Sequence, residues 1–181
     1  MNKILAAWEW NGPVSEPTAY GEGHINQTYA VTEQTTQKRY ILQKINTDTF
    51  KDPDGLMENI CGVTDFLREK AKQCGADPER ATLHVALTKA GKPYYKAADG
   101  GCWRVYDFVE NTVCLQQVQS AEDFYQSAVA FGNFQHQLAT TRQTPCMRRF
   151  LTSMIHQNAS RTSSVLWLRT AWDAPHRCNA K

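Results

Sequence analysis

Between residues 82 and 109, three runs rich in β-branched and aromatic residues follow one another with only short turns between them. The turns are Ala90-Gly91-Lys92 and Asp99-Gly100-Gly101, both built around glycine. A parallel pair of strands needs a crossover of about a dozen residues or more, so neighbours joined this tightly pair antiparallel. Upstream the grammar repeats. Residues 18–31 read strand–turn–strand around Gly21-Glu22-Gly23, and Arg39-Tyr40-Ile41-Leu42-Gln43-Lys44-Ile45 reads as the next strand. Two segments have helical periodicity instead. In residues 56–74 the apolar positions are Leu56, Ile60, Val63, Phe66 and Leu67, and Cys74-Gly75 is the stop. In residues 124–139 they are Phe124, Ala128 or Val129, Phe131, Phe134 and Leu138, after a Ser120/Asp123 capping pair. The expected class is α+β: an antiparallel sheet with one packed helix and a second helix after it, not a βαβ arrangement.

The 181 residues suffice for about one domain, or one and a half. A hydrophobic fraction of 41% with 21% charged residues excludes wholesale disorder. No apolar run approaches the ~18 residues of a membrane span. The apolar stretch Ile4-Leu5-Ala6-Ala7-Trp8 is shorter than a secretory core of about 7–15 residues, so a cytoplasmic location is expected. The six cysteines form no C-x-x-C pair, and reduced thiols are the expectation.

The net charge of +2 conceals a split. Residues 1–141 carry 13 Lys and Arg against 17 acids, and residues 142–181 carry 7 against Asp173 alone. Such a basic end suits a nucleic-acid tail, or it marks a part with a separate origin.

Several positions can carry chemistry. Gly21-x-Gly23 lies in a hairpin, which argues against a dinucleotide-binding turn and suits a loop folded over phosphates. A plain β-turn has the same composition. Lys44 is the one lysine of its strand, and Glu58 lies near the start of the helix that follows, where an acid could hold a strand lysine. Solvated positions explain both equally simply. The five histidines share no spacing that suggests a metal or a nucleophile.

Three segments, in order, resemble the aminoglycoside/choline phosphotransferase superfamily, whose fold is protein-kinase-like, and look most like its N-acetylhexosamine 1-kinase branch. They are Gly21-x-Gly23-His24-Ile25-Asn26-x-Thr28-Tyr29; Tyr40-Ile41-Leu42-Gln43-Lys44-Ile45-Asn46 with Phe50-Lys51-Asp52-Pro53-Asp54-Gly55-Leu56-Met57-Glu58-Asn59-Ile60; and Trp103-Arg104-Val105-Tyr106-Asp107-Phe108-Val109. The resemblance covers roughly residues 10–141, with Ala130-Phe131-Gly132-x-Phe134-Gln135 fitting the first helix of a C-terminal lobe. It implies a kinase-like N-terminal lobe over residues 1–111, a hinge exit and first C-lobe helix over 112–141, and a basic tail over 142–181. It implies that Gly21, Gly23, His24 and Asn26 lie at the ATP phosphates. Lys44 or its neighbour Gln43 takes the phosphate-contacting strand position, with Glu58 as its helix partner. The Asp107 carbonyl and the Val109 amide face adenine. The implied cofactors are ATP and Mg²⁺, and the implied reaction phosphorylates a small-molecule hydroxyl, expected to be the anomeric hydroxyl of an N-acetylhexosamine.

One departure limits that implication. No H-x-D catalytic loop occurs, and beyond residue 123 the single acid is Asp173. No catalytic or metal-holding residue is therefore assigned, and the chain is expected to be an inactive piece of such an enzyme. Codons for residues 145–157 can be chosen so that another frame reads L-Y-E-T-I-P-D-F-H-D-T-P, so residues from about 142 on are expected to be frameshifted. The apolar face of the second helix would then lack its lobe and stay exposed. Two alternatives stand beside this. One is a non-catalytic binding module whose basic tail recruits an acidic partner such as nucleic acid, supported by that tail alone. The other is a choline, homoserine or aminoglycoside kinase relative.

Overall fold

In the computed structural model, which describes residues 1–21, 23, 25–112 and 117–139, the run from Arg39 to Ile45 is strand β3 (Arg39–Ile45), inside a six-stranded antiparallel sheet. Its neighbours are β2 (Gln27–Thr32) and β6 (Cys102–Asp107). β1 (Thr18–Ala19) extends the sheet beyond β2, while β4 (Val85–Ala86) and β5 (Tyr95–Lys96) both pair with β6. Every pairing is antiparallel, but β4 and β5, joined by the Ala90-Gly91-Lys92 turn, each pair with β6 and not with one another. The chain divides into two compact units: Met1–Cys61 with Leu83–Phe108, and Gly62–Thr82 with the residues from Val109 on. The tail 142–181 and His24 lie outside the described residues.

In the first unit β3 is covered on both faces, which is why Ile41 and Leu42 are each fully buried. Successive side chains alternate across a strand, so two separate cores form. Leu42 packs with Val31, Trp103 and Val105 under Leu5 and Trp8. Leu5 closes α1 (Asn2–Leu5), and the chain after it is fastened to the sheet. Trp8 Nε1 donates to the Ala86 carbonyl at 3.0 Å, and Lys89 N donates to the Ala7 carbonyl at 2.9 Å. On the other face Ile45, Val85 and Cys102 pack with Met57 of α2 (Pro53–Gln73).

The helix α2 begins three residues before the expected Leu56. Proline is favoured in a first helical turn, where its missing N–H costs nothing. Asp52 Oδ1 accepts the Gly55 N–H at 3.0 Å, and a Cβ on Gly55 would lie 2.4 Å from Asp52 Oδ2. The end is the expected one. Gly75 has φ +71°, and Ala76 N donates to the Ala71 carbonyl at 2.9 Å.

The second unit holds the C-terminal half of α2, α3 (Pro78–Ala81) and α4 (Ala121–Ala139). Asp77 caps α3, accepting the Glu79 N–H at 2.9 Å. Ser120 Oγ accepts the Asp123 N–H at 3.1 Å, and the Ser120 hydroxyl donates back to Asp123 Oδ2 at 2.8 Å. The short aspartate thus bonds the cap's hydroxyl. Val63, Leu67 and Leu138 form this unit's core with Phe66 and Phe134, whereas Phe124 remains 60% exposed. Cys74 is disulfide-bonded, which corrects the expectation of reduced thiols throughout; Cys61 and Cys102 are outside any disulfide. No helix among the described residues is long and apolar enough to cross a membrane.

Candidate functional site

Gln43 stands opposite Thr28 on β2 and opposite Arg104 on β6. The three side chains share the sheet face that carries Ile45 and Met57, because the strand alternation that sends Leu42 to one core sends Gln43 to the other. They form a bonded row. Gln43 Nε2 donates to Thr28 Oγ1 at 2.9 Å. Arg104 Nε and Nη2 both donate to Gln43 Oε1, at 3.0 and 2.6 Å. Arg104 Nη1 also reaches Met57 Sδ at 3.7 Å, so the row ends on α2. Burial pushes the Arg104 pKa below the usual guanidinium range and the Tyr106 phenol above its own, with each group's charge opposing the shift of the other.

The row separates the two candidate strand positions by the face each takes. The residue aimed at α2 is Gln43, while Lys44 leaves β3 on the opposite face with its Nζ 5.7 Å from the centre of the Trp103 ring. Glu58 is exposed, and no ion pair joins it to Lys44 among the described residues. The physical reason is the register. The strand lysine lies on the face away from α2, so an acid on that helix is not its partner. The α2 side chain that does meet the row is Met57.

The hairpin before β2 is held from both ends. Gly21 has φ +76°, a left-handed conformation that favours glycine. Gly23 is exposed, and a Cβ there would meet nothing within 4 Å. Asn26 Oδ1 accepts the Asn46 N–H at 2.9 Å, tying the loop exit to the end of β3. Tyr20 packs edge-on against Phe108 with ring centres 5.3 Å apart, which brings the incoming strand to the end of β6.

Asp107, the expected hinge residue, closes β6. Its N–H donates to the His84 carbonyl at 3.0 Å. Its carboxylate meets Lys38 Nζ at 2.8 Å and His84 Nδ1 at 3.1 Å. Phe108 N donates to the Arg39 carbonyl at 3.1 Å, so the pairing with β3 runs one residue past the strand. Val109 belongs to the second unit, where its carbonyl accepts from Thr112 Oγ1 at 3.1 Å.

Gln43 and Asn26 thus join bonded networks within the first unit, Asp107 anchors the end of β6, and Lys44 and Glu58 stand apart. Sequence reading gave Arg104 and Thr28 no role. A cation inside the apolar run Trp103-Arg104-Val105-Tyr106 was the available signal, since a charge rarely sits in such a strand without a purpose. No family model matches this chain. Fold and site together define a mixed α+β protein whose antiparallel sheet carries a cationic polar row on its helix-bearing face.

Proposed function

We propose that this chain carries the nucleotide-binding part of an ATP-dependent small-molecule kinase of the aminoglycoside/choline phosphotransferase type. The observation that carries the reading is Gln43 on the α2-bearing face of β3, bonded to Thr28 just beyond the glycine hairpin. In a kinase-like lobe the strand position after that hairpin faces the following helix and the phosphates. The order of elements supports the same reading: a glycine hairpin, β3, a long helix, then short antiparallel strands leading to the connector at Asp107. The positive φ of Gly21 suits a loop whose N–H groups approach phosphate oxygens. A small-molecule hydroxyl, such as the anomeric hydroxyl of an N-acetylhexosamine, is the acceptor in this reading.

ATP fits the donor set, because the row presents the Arg104 cation beside the Gln43 amide. Mg²⁺ would need carboxylate or water oxygens, and the three side chains of the row supply no carboxylate. With no H-x-D loop in the sequence, binding without turnover is the expected behaviour. The test is thermal unfolding of the full chain with ATP, paired with an assay for sugar-dependent ATP consumption. A rise in Tm that grows with ATP concentration, without turnover, supports the reading. No ATP-dependent rise would overturn the nucleotide assignment, and sugar-dependent consumption would overturn the expected inactivity.

A further inference from the structure

We infer that Arg104, held by Gln43, is the seat for the phosphate chain of the nucleotide, taking the part that a strand lysine would otherwise play. The inference rests on the nucleotide reading for the identity of the ligand, and on the geometry of the row for the site. Among the described residues Arg104 bonds the Gln43 amide oxygen and the Met57 sulfur, and the ring of Tyr106 lies 5.9 Å from the guanidinium carbon. None of the three is an anion. A cation drawn out of water against neutral partners carries a desolvation cost, which dominates here over the opposing charges of Tyr106 and Cys61. For packing alone, a methionine or leucine at this position would serve without that cost.

The donor inventory points the same way. A guanidinium has five N–H groups in a planar fork. Nε and one Nη2 hydrogen are taken by Gln43 Oε1, and one Nη1 hydrogen points at the Met57 sulfur, a weak acceptor. The remaining two have no bonded partner among the described residues. Gln43 is fixed in turn by its bond to Thr28, so the fork is oriented before any ligand arrives. An oriented fork with two open donors matches the paired oxygens of a phosphate better than a lysine does. Lys44 cannot share the task, because its ammonium is over Trp103 on the other face. The ligand class is therefore a polyphosphate, free or as the tail of a nucleotide.

The experiment titrates the full chain with tripolyphosphate, ATP and adenosine by calorimetry, using the native sequence and the variants Arg104→Met, Arg104→Lys and Lys44→Met. Arg104→Met is expected to weaken tripolyphosphate and ATP at least about tenfold, as loss of a charge-assisted hydrogen bond would. Arg104→Lys should recover part of that loss, and Lys44→Met should change affinity less than about twofold. The Arg104 Nε–H resonance of the native chain should move on adding tripolyphosphate. That signal decides the matter if Arg104→Met fails to fold: a shift upholds the seat, and no shift at the highest tripolyphosphate concentration overturns it. ATP and adenosine binding with affinities indifferent to Arg104 would overturn the seat and leave the nucleotide reading standing. Tripolyphosphate binding through Arg104, with ATP no tighter and adenosine silent, would uphold the seat and overturn the nucleotide reading. No binding of any of the three would overturn both.

Discussion

Gln43 and Lys44 are adjacent on β3 and leave the sheet on opposite faces, the amide bonded to Arg104 and the ammonium over Trp103. Their substitutions should therefore differ. Gln43→Leu removes the acceptor of two Arg104 N–H groups and should destabilise the fold by about 1–3 kcal/mol. Lys44→Met removes an edge-of-core charge and should stay within about 0.5 kcal/mol of the native chain. Urea unfolding of both variants checks the pair. Equal effects would contradict the assigned faces.

The N-terminal segment is part of the core. Trp8 is 1% exposed, packs against the Tyr95 ring at 6.3 Å and donates to the Ala86 carbonyl. Trp8→Ala should cost about 3–5 kcal/mol, the range for removing a large buried aromatic. A change under about 1 kcal/mol in urea unfolding would mean that the segment does not cover the sheet.

Glu33 is fully buried at the turn between β2 and β3. Its carboxylate accepts the Thr36 hydroxyl, the Thr35 N–H at 2.7 Å and the Thr36 N–H at 3.0 Å. These bonds, the Thr36 hydroxyl first, hold its pKa below the ordinary carboxylate value against the opposing pull of burial. A lowered native pKa gives stability that is complete above the unfolded-state value and is lost as pH falls through the native one. Tm should be flat above about pH 5 and decline below about pH 4. Glu33→Gln should lower Tm at neutral pH and flatten the acid decline. Superimposable Tm profiles for the two proteins would contradict this.

Tyr94 donates to Asp54 Oδ1 in the first turn of α2 at 2.8 Å. That bond, with burial second, pushes its pKa up to about 12. The sign is the reverse of Glu33. The contribution is present below the unfolded-state value of about 10 and is lost as pH rises through the native one. Alkaline titration at the tyrosinate absorbance should show a late-titrating phenol that is absent in Tyr94→Phe and that titrates earlier in Asp54→Asn.

The antiparallel character of the sheet was legible from its short turns, though not its order, since β6 pairs with β3 and β4 as well as with β5, and the stop of α2 was legible because Cys74-Gly75 is a local signal. Three things were not. The start of α2 depends on Asp52 and Pro53, outside its apolar period. The role of the N-terminal segment depends on Trp8 meeting Ala86, far along the chain. The choice between Gln43 and Lys44 depends on which face receives the helix. A strand's alternation separates the two residues, but only tertiary packing labels the faces. Arg104 was hidden for the same reason, since its partners come from β3 and α2.

The most direct test is a map of amide NMR shifts in the full chain, labelled with ¹⁵N, as ATP is added. The account predicts saturable changes grouped at Gly21, Gly23, Thr28, Gln43, Arg104, Asp107 and Phe108. Saturating ATP that moves none of these, or that moves residues 1–10 in their place, would contradict it.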